Sequence, residues 1–173
     1  MPDWSNTAVP ERVNIWTLAG SSLQNAASAQ QPLSSGSQNN AANQAAYLPF
    51  VLPWRYPVQR VMWCNGGLTS GSVDVGIYTI GGGRLWSLGG VAQSPTNAVQ
   101  YANAGIVLSP GRYYLGWAQS ASGWFAGVAA PMGRPLGLYT QASAYPLPAQ
   151  ATFAAWGSMA LPIVAFTTSP SGI

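Results

Sequence analysis

From Tyr47 onward the chain alternates apolar and polar positions in short runs broken by glycine and proline, a period of two that predicts strands rather than helices. YLPFVLP sets Leu48, Phe50 and Leu52 on one side and Tyr47, Pro49 and Val51 on the other, and its prolines suit an edge strand. VQRVMWC is rich in strand formers and gives way to NGGLTSG, a loop by its Asn-Gly step and repeated glycines. In SVDVGIYTI the pattern turns Val73, Val75 and Ile77 toward a core and Asp74, Gly76 and Tyr78 away from it. Gly81, Gly82 and Gly83 then separate this strand from RLWSL at a hairpin spacing.

GIVLS leads through the turn Pro110-Gly111 into RYYLGWAQ, where Tyr113, Leu115 and Trp117 alternate with Tyr114, Gly116 and Ala118. GWFAGVA, LGLYTQ, TFAAW and PIVAF are further short strand candidates between glycines and prolines. About eight or nine such strands predict an all-β chain, an antiparallel jelly-roll β-sandwich over residues 47–173. Residues 1–46 read differently, as an extended, irregular arm. Trp4 and Trp16 stand there in polar surroundings, ahead of the Ser, Gln, Asn and Ala run SSLQNAASAQQPLSSGSQNNAANQAA. An arm laid over a neighbouring subunit, with the tryptophans as anchors, accounts for both features.

Composition changes the picture at the surface. Apolar residues make up 48% of the 173, but charged residues only 5%, against about 25% in ordinary soluble domains. A folded chain of this length exposes roughly 8,000 Å², which leaves one charge per about 900 Å². So neutral an exterior implies that much of it is held against other chains. The net charge of +3 comes from Arg12, Arg55, Arg60, Arg84, Arg112 and Arg134, with no lysine. They are spread along the chain rather than clustered, so nucleic acid is not expected as a partner. Arginine without lysine suits planar contacts at interfaces.

The inventory of reactive groups is short. The absence of histidine removes the commonest general base and metal ligand. The side-chain carboxylates are Asp3, Glu11 and Asp74, and nothing in their spacing favours a glycosidase-like pair or a calcium site. Gly81-Gly82-Gly83 lacks the Gly-Lys-Ser/Thr ending of a phosphate loop, and Trp86 stands where a dinucleotide fingerprint needs glycine. Cys64, alone and among apolar neighbours in VMWC, reads as an inert thiol. No catalytic residue, metal or cofactor is therefore expected. With no basic-then-apolar leader and no apolar run of about 18 residues, the chain reads as made in a reducing cytoplasm without a membrane partner.

Of the eight tryptophans, Trp63, Trp86, Trp117 and Trp156 fall on expected strands and suit a core. Trp4, Trp16, Trp54 and Trp124 are the candidate interface anchors, with stacking on sugar rings as the alternative use. Asp74 is expected to form a structural ion pair with Arg84 across the hairpin.

AAYLPFVLPWRYPVQRVMWCNGG, GSVDVGIYTIGGGRLWSLG and LSPGRYYLGWAQ together resemble the jelly-roll virion proteins of tailed bacteriophages, over roughly residues 45–120. The resemblance rests on an Asn-Gly loop before a V-D-V-G-I-Y strand, a Gly-rich hairpin, and a later P-G-x-Y-Y-L strand. It implies a β-sandwich, commonly a homotrimer, with a structural or host-attachment role and no catalytic residues. The pattern occurs in capsid decoration (cement) proteins and in tail or head fibres. An arm with a compact sandwich and no repetitive shaft suits the former, with the major capsid protein as partner and the virion, assembled in the host cytoplasm, as location. The fibre reading would add a host surface glycan.

Overall fold

The structure is a computed structural model that describes residues 14–16, 38–129, 138–155 and 160–168. Its strands in chain order are β1 (Asn14–Trp16), β2 (Gln38–Asn39), β3 (Ala45–Leu52), β4 (Tyr56–Cys64) and β5 (Ser72–Thr79). There follow β6 (Arg84–Ser87), β7 (Val91–Ala92), β8 (Val99–Leu108), β9 (Gly111–Gln119) and β10 (Trp124–Phe125). The last are β11 (Gly127–Ala129), β12 (Tyr139–Gln141), β13 (Ala154–Ala155), β14 (Ala160–Pro162) and β15 (Val164–Thr167). The described residues contain no helix.

Two antiparallel sheets carry the fold. The smaller runs β1-β15-β4-β8, and the larger runs β13-β12-β3-β9-β5-β6, with β7 also paired to β5. The chain passes from one sheet to the other at β3–β4, β4–β5 and β8–β9. The period-two pattern explains what lies between them. Leu48, Phe50 and Leu52 of β3, Val73, Val75 and Ile77 of β5, and Leu115 and Trp117 of β9 meet Val61 and Trp63 of β4 and Val164 and Phe166 of β15 in one buried core. Trp63 and Trp117 pack edge to face across the gap at 6.4 Å, as Phe50 and Phe166 pack tilted at 5.6 Å. Each such pair adds about 1 kcal/mol beyond the area it buries. The result is a β-sandwich with the core the alternation predicted.

Pro49 shows how the sheet tolerates its proline. Among the described residues β12 pairs with β3 as far as Tyr47, and at Pro49 the described ladder is the one to Tyr114 of β9. A residue without an N–H costs little there.

Some boundaries differ from the expectation. β3 begins at Ala45, and Ala45 and Ala46 are fully buried, so residues 45 and 46 belong to the sandwich and not to the arm. Within the expected arm, Asn14–Trp16 pairs with Ala165–Thr167 at a sheet edge, and Gln38–Asn39 pairs with Trp124–Phe125. β8 starts at Val99, six residues before GIVLS, because the intervening Ala, Asn and Gln have weak strand preference and hide an edge strand. GWFAGVA splits at Ala126 into β10 and β11, which join different two-stranded sheets. Trp156 and Arg134 lie outside the described residues.

The outer face of the larger sheet is covered as well. Residues 142–153 lie across it, placing Ala144, Leu147 and Ala151 against Ala45, Tyr47, Tyr78 and Ala118 in a second buried cluster. Leu147 fits because Gly76 and Gly116 are register partners on β5 and β9 and leave a trench. A Cβ on Gly116 would stand 2.7 Å from the Tyr78 ring and 3.2 Å from Leu147. Gly116→Ala is therefore expected to destabilise the fold by about 1–3 kcal/mol in urea unfolding, as overpacked sites do. Gly67→Ala, whose Cβ meets nothing nearer than 3.6 Å and whose φ lies outside the left-handed region, should stay within about 0.5 kcal/mol.

Candidate functional site

Asp74 lies on β5 between the core residues Val73 and Val75, and the alternation does turn it away from the core between the sheets. It does not reach solvent. Its exposure is 0%, because the outer face it points to is the one that residues 142–153 cover. This corrects the expectation of an outward-facing carboxylate: the pattern gave the right face but could not reveal that a segment without strand character lies over it.

Burial of a carboxylate requires partners, and the local fold supplies them. Oδ1 accepts from Ser87 Oγ at 2.9 Å and from the Gly89 N–H at 3.0 Å. Oδ2 accepts from the Leu147 N–H at 2.9 Å and from Ser87 Oγ at 3.0 Å. Ser87 stands opposite Gly76 in the β5–β6 ladder, which brings its hydroxyl to the same face as Asp74. Arg84 approaches the same place from the other side, donating through Nη1 to the Leu147 carbonyl. The expected direct pair between Asp74 and Arg84 is thus replaced by an indirect one. The carboxylate takes the N–H of Leu147, and the guanidinium takes its C=O.

Further contacts extend this clasp. The Tyr78 hydroxyl donates to the Pro148 carbonyl at 2.8 Å, the Arg84 N–H to the Ala149 carbonyl at 2.9 Å, and the Ala151 N–H to the Gly82 carbonyl at 2.8 Å. Gln150 Nε2 donates to the Gly81 carbonyl at 2.8 Å. The triple glycine is the hairpin turn its spacing predicted, closed by the Thr79 N–H on the Gly83 carbonyl at 2.9 Å. Gly82 has φ +84°, and a Cβ there would stand 2.8 Å from the Ala151 carbonyl. The turn therefore needs glycine both for its angle and for the close approach of the covering segment. Its outward carbonyls receive donors from this chain.

The four candidate anchors fare differently. Trp54 follows β3 and is 46% exposed, whereas Trp124 on β10 is 39% exposed. The strand registers put them at opposite ends of the sandwich: Trp54 beside Leu52 and Tyr56, Trp124 beside Gly66 and Leu68. Trp4 lies outside the described residues, and Trp16 is described by its backbone, as the register partner of Ala165. Asp3 and Glu11 also lie outside them. Among the described residues no group of three or more potential metal-ligating side chains is brought together.

Sequence reasoning missed a cluster of amides around Trp124. Trp63 Nε1 donates to Asn65 Oδ1 at 3.1 Å, and Asn65 Nδ2 donates to Gln100 Oε1 at 2.9 Å. Gln93 Nε2 donates to the Trp124 carbonyl at 2.7 Å, and Gln119 Nε2 to the Gly123 carbonyl at 3.0 Å. Gln119 follows Trp117 at the next inward position of β9, and that polar residue on an apolar face was the available signal. Trp117 Nε1 and Gln119 Oε1 are buried without a hydrogen-bond partner among the described residues.

Burial also sets the acid–base behaviour. It pushes the Cys64 thiol up, which lowers its thiolate fraction at neutral pH and suits the inert role expected of it. Tyr47, whose hydroxyl donates to Gln141 Oε1 at 2.9 Å, is pushed up to about 12 by desolvation, and Tyr78 is pushed up for the same leading reason.

The chain matches no protein-family model, no curated protein and no solved structure. What defines its class is the fold itself, an all-β protein of antiparallel sheets packed as a β-sandwich, with a covering segment clasped to its outer face.

Asp74→Asn keeps one acceptor oxygen and turns an amide N–H₂ toward donors. Unfolding in urea should show a loss of about 2–4 kcal/mol, with faster amide exchange at Leu147 and Ala151 than elsewhere in the large sheet. Stability should also fall at alkaline pH. Tyr47 stays protonated in the folded chain up to about 12 but in the unfolded chain only to about 10, so its contribution is complete below about pH 10 and drains away as pH rises to about 12. Equilibrium unfolding across that window should show a smaller fall in Tyr47→Phe.

Proposed function

We propose that this chain is a non-enzymatic structural protein of a tailed-bacteriophage particle, a jelly-roll decoration or cement protein that binds neighbouring capsid subunits and strengthens the head. The observation that carries the reading is the surface. Nine charged residues serve the whole chain, while the exposed positions include Trp54, Trp124, Tyr101, Ile80 and Leu85. Exteriors of this kind suit permanent contact with other protein. The strand adjacency β3-β9-β5 opposite β4-β8, with chain crossings between the sheets, supports the jelly-roll assignment within the sandwich. Asp74 supports it negatively, since its oxygens are occupied by Ser87, Gly89 and Leu147. The chain assembles as a homo-oligomer with the major capsid protein as its partner, and Trp4 is one of its contact residues.

A receptor-binding module on a tail or fibre is the second reading, favoured by the two exposed indoles, each able to stack on a sugar ring. Mixing purified chain with empty capsid shells separates the two. Saturable co-sedimentation, with extra density at fixed lattice positions in electron micrographs, is expected for a decoration protein, and removing residues 1–13 should weaken binding about tenfold or more while β1 and the sandwich stay folded. No binding to shells, together with saturable binding to host envelopes that Trp54→Ala or Trp124→Ala abolishes, would establish the second reading and end the first.

A further inference from the structure

Two buried polar atoms at one end of the core find no hydrogen-bond partner among the described residues, the indole N–H of Trp117 and the side-chain oxygen of Gln119. They belong to successive inward positions of β9, and the two residues are enclosed, at 0% and 1% exposure. The side chains beside them in the sheet are apolar: Ala46 and Val75 flank Trp117, and Val73 stands next to Gln119. Buried groups that protein atoms do not meet are met by ordered water.

Turning the Gln119 amide round does not remove the problem. Its Nε2 donates to the Gly123 carbonyl at 3.0 Å and lies 3.5 Å from Gln93 Oε1. Gln93 Oε1 is itself an acceptor, taking the Ser70 N–H at 3.3 Å while Gln93 Nε2 donates to the Trp124 carbonyl. A reversed Gln119 would set oxygen against both. The other buried tryptophan of this end shows the direct solution. On β4, Trp63 precedes Asn65 by the same two residues, and its indole N–H reaches Asn65 Oδ1 at 3.1 Å. Gln119 is one methylene longer and its Nε2 is held at Gly123, and the corresponding bond to Trp117 is not made.

We infer that one water molecule is bound between Trp117 and Gln119, accepting from the indole Nε1 and donating to Oε1 of the amide. The chemistry of the two atoms selects it. A cation is opposed by the N–H, an anion by the carbonyl oxygen, and an apolar group answers neither. Water is donor and acceptor at once. The reach also fits: two hydrogen bonds of about 2.9 Å span up to about 6 Å, and residues two apart on a strand are separated by about 6.7 Å. The site bears on the surface as well. Gln119 Nε2 holds the carbonyl of Gly123, the residue before the exposed Trp124, so the water completes a polar line from a core indole to the turn that presents a surface indole.

The full chain free in solution tests this. With the tryptophan indoles labelled with nitrogen-15, and the Trp117 signal assigned by its loss in Trp117→Phe, magnetisation transfer from water is read at each indole N–H. A cross-peak of the sign that marks a held water is expected at Trp117 and not at Trp63, whose N–H is on Asn65. Gln119→Leu takes away the acceptor and should reduce the Trp117 cross-peak about fivefold or more. Trp117→Phe leaves Gln119 in place and should raise amide exchange at Trp124 about threefold relative to Leu48; exchange that does not change ends the line to the surface. No cross-peak at Trp117, or one unchanged in Gln119→Leu, would overturn the bridge. A crystal structure decides the matter should Gln119→Leu fail to fold by circular dichroism. One water within about 3.2 Å of both atoms is expected, and a direct bond from Trp117 Nε1 to Gln119 Oε1 overturns it. The site is internal, so a failure to bind capsid shells removes the proposed function and leaves this inference standing.

Discussion

Around Asp74 the larger sheet is covered on both faces, and the interaction that makes this possible is the capture of the backbone of one residue, Leu147. Leu147 offers its N–H to Asp74 and its C=O to Arg84, while its side chain fills the trench over Gly76 and Gly116. A buried carboxylate is costly unless its lone pairs are met. Here the cost is offset by Ser87, Gly89 and Leu147, and the geometry that meets it also fixes where residues 142–153 lie. Tyr47 and Tyr78 are enclosed as a consequence, with their hydroxyls on Gln141 and Pro148. A single acidic residue in a nearly uncharged chain thus serves as an internal fastening.

How much of this could be read beforehand depended on whether local pattern or long-range contact decided the outcome. The inward faces of β3, β5 and β9 were legible because an alternating strand between two sheets has one apolar side, and Leu48, Val75 and Trp117 took the positions expected of them. The Gly81–Gly83 hairpin was legible for a related reason: its turn chemistry is local. The fate of Asp74 was not, because it is decided by a segment about seventy residues later whose Ala, Pro and Leu carry no strand signal. The strand at Asn14–Trp16 was hidden likewise. Three residues are too few to carry a pattern of their own, and they take their conformation from pairing with β15.

The amides at one end of the sandwich continue the same theme. Asn65, Gln93, Gln100 and Gln119 join loops and strands that another protein of this size might link with ion pairs. Neutral amides satisfy buried backbone without the desolvation that charges carry, and their bonds persist at salt concentrations that would screen surface ion pairs. A chain that keeps its cohesion in neutral groups leaves its exterior free to be apolar. This is the property that a protein permanently seated on others needs.

The pairing of β1 with β15 has a mechanical side. Among the described residues β1 meets the smaller sheet through β15 alone, with Asn14, Ile15 and Trp16 opposite Thr167, Phe166 and Ala165, and β4 and β8 lie on the far side of β15. Tension entering through the residues ahead of Asn14 would reach the described part of the sandwich first at β1, which is paired there on one side only, and the strands behind β15 would keep their places until β1 had gone. The molecule therefore has a built-in order of failure, with a sacrificial edge ahead of a core that holds.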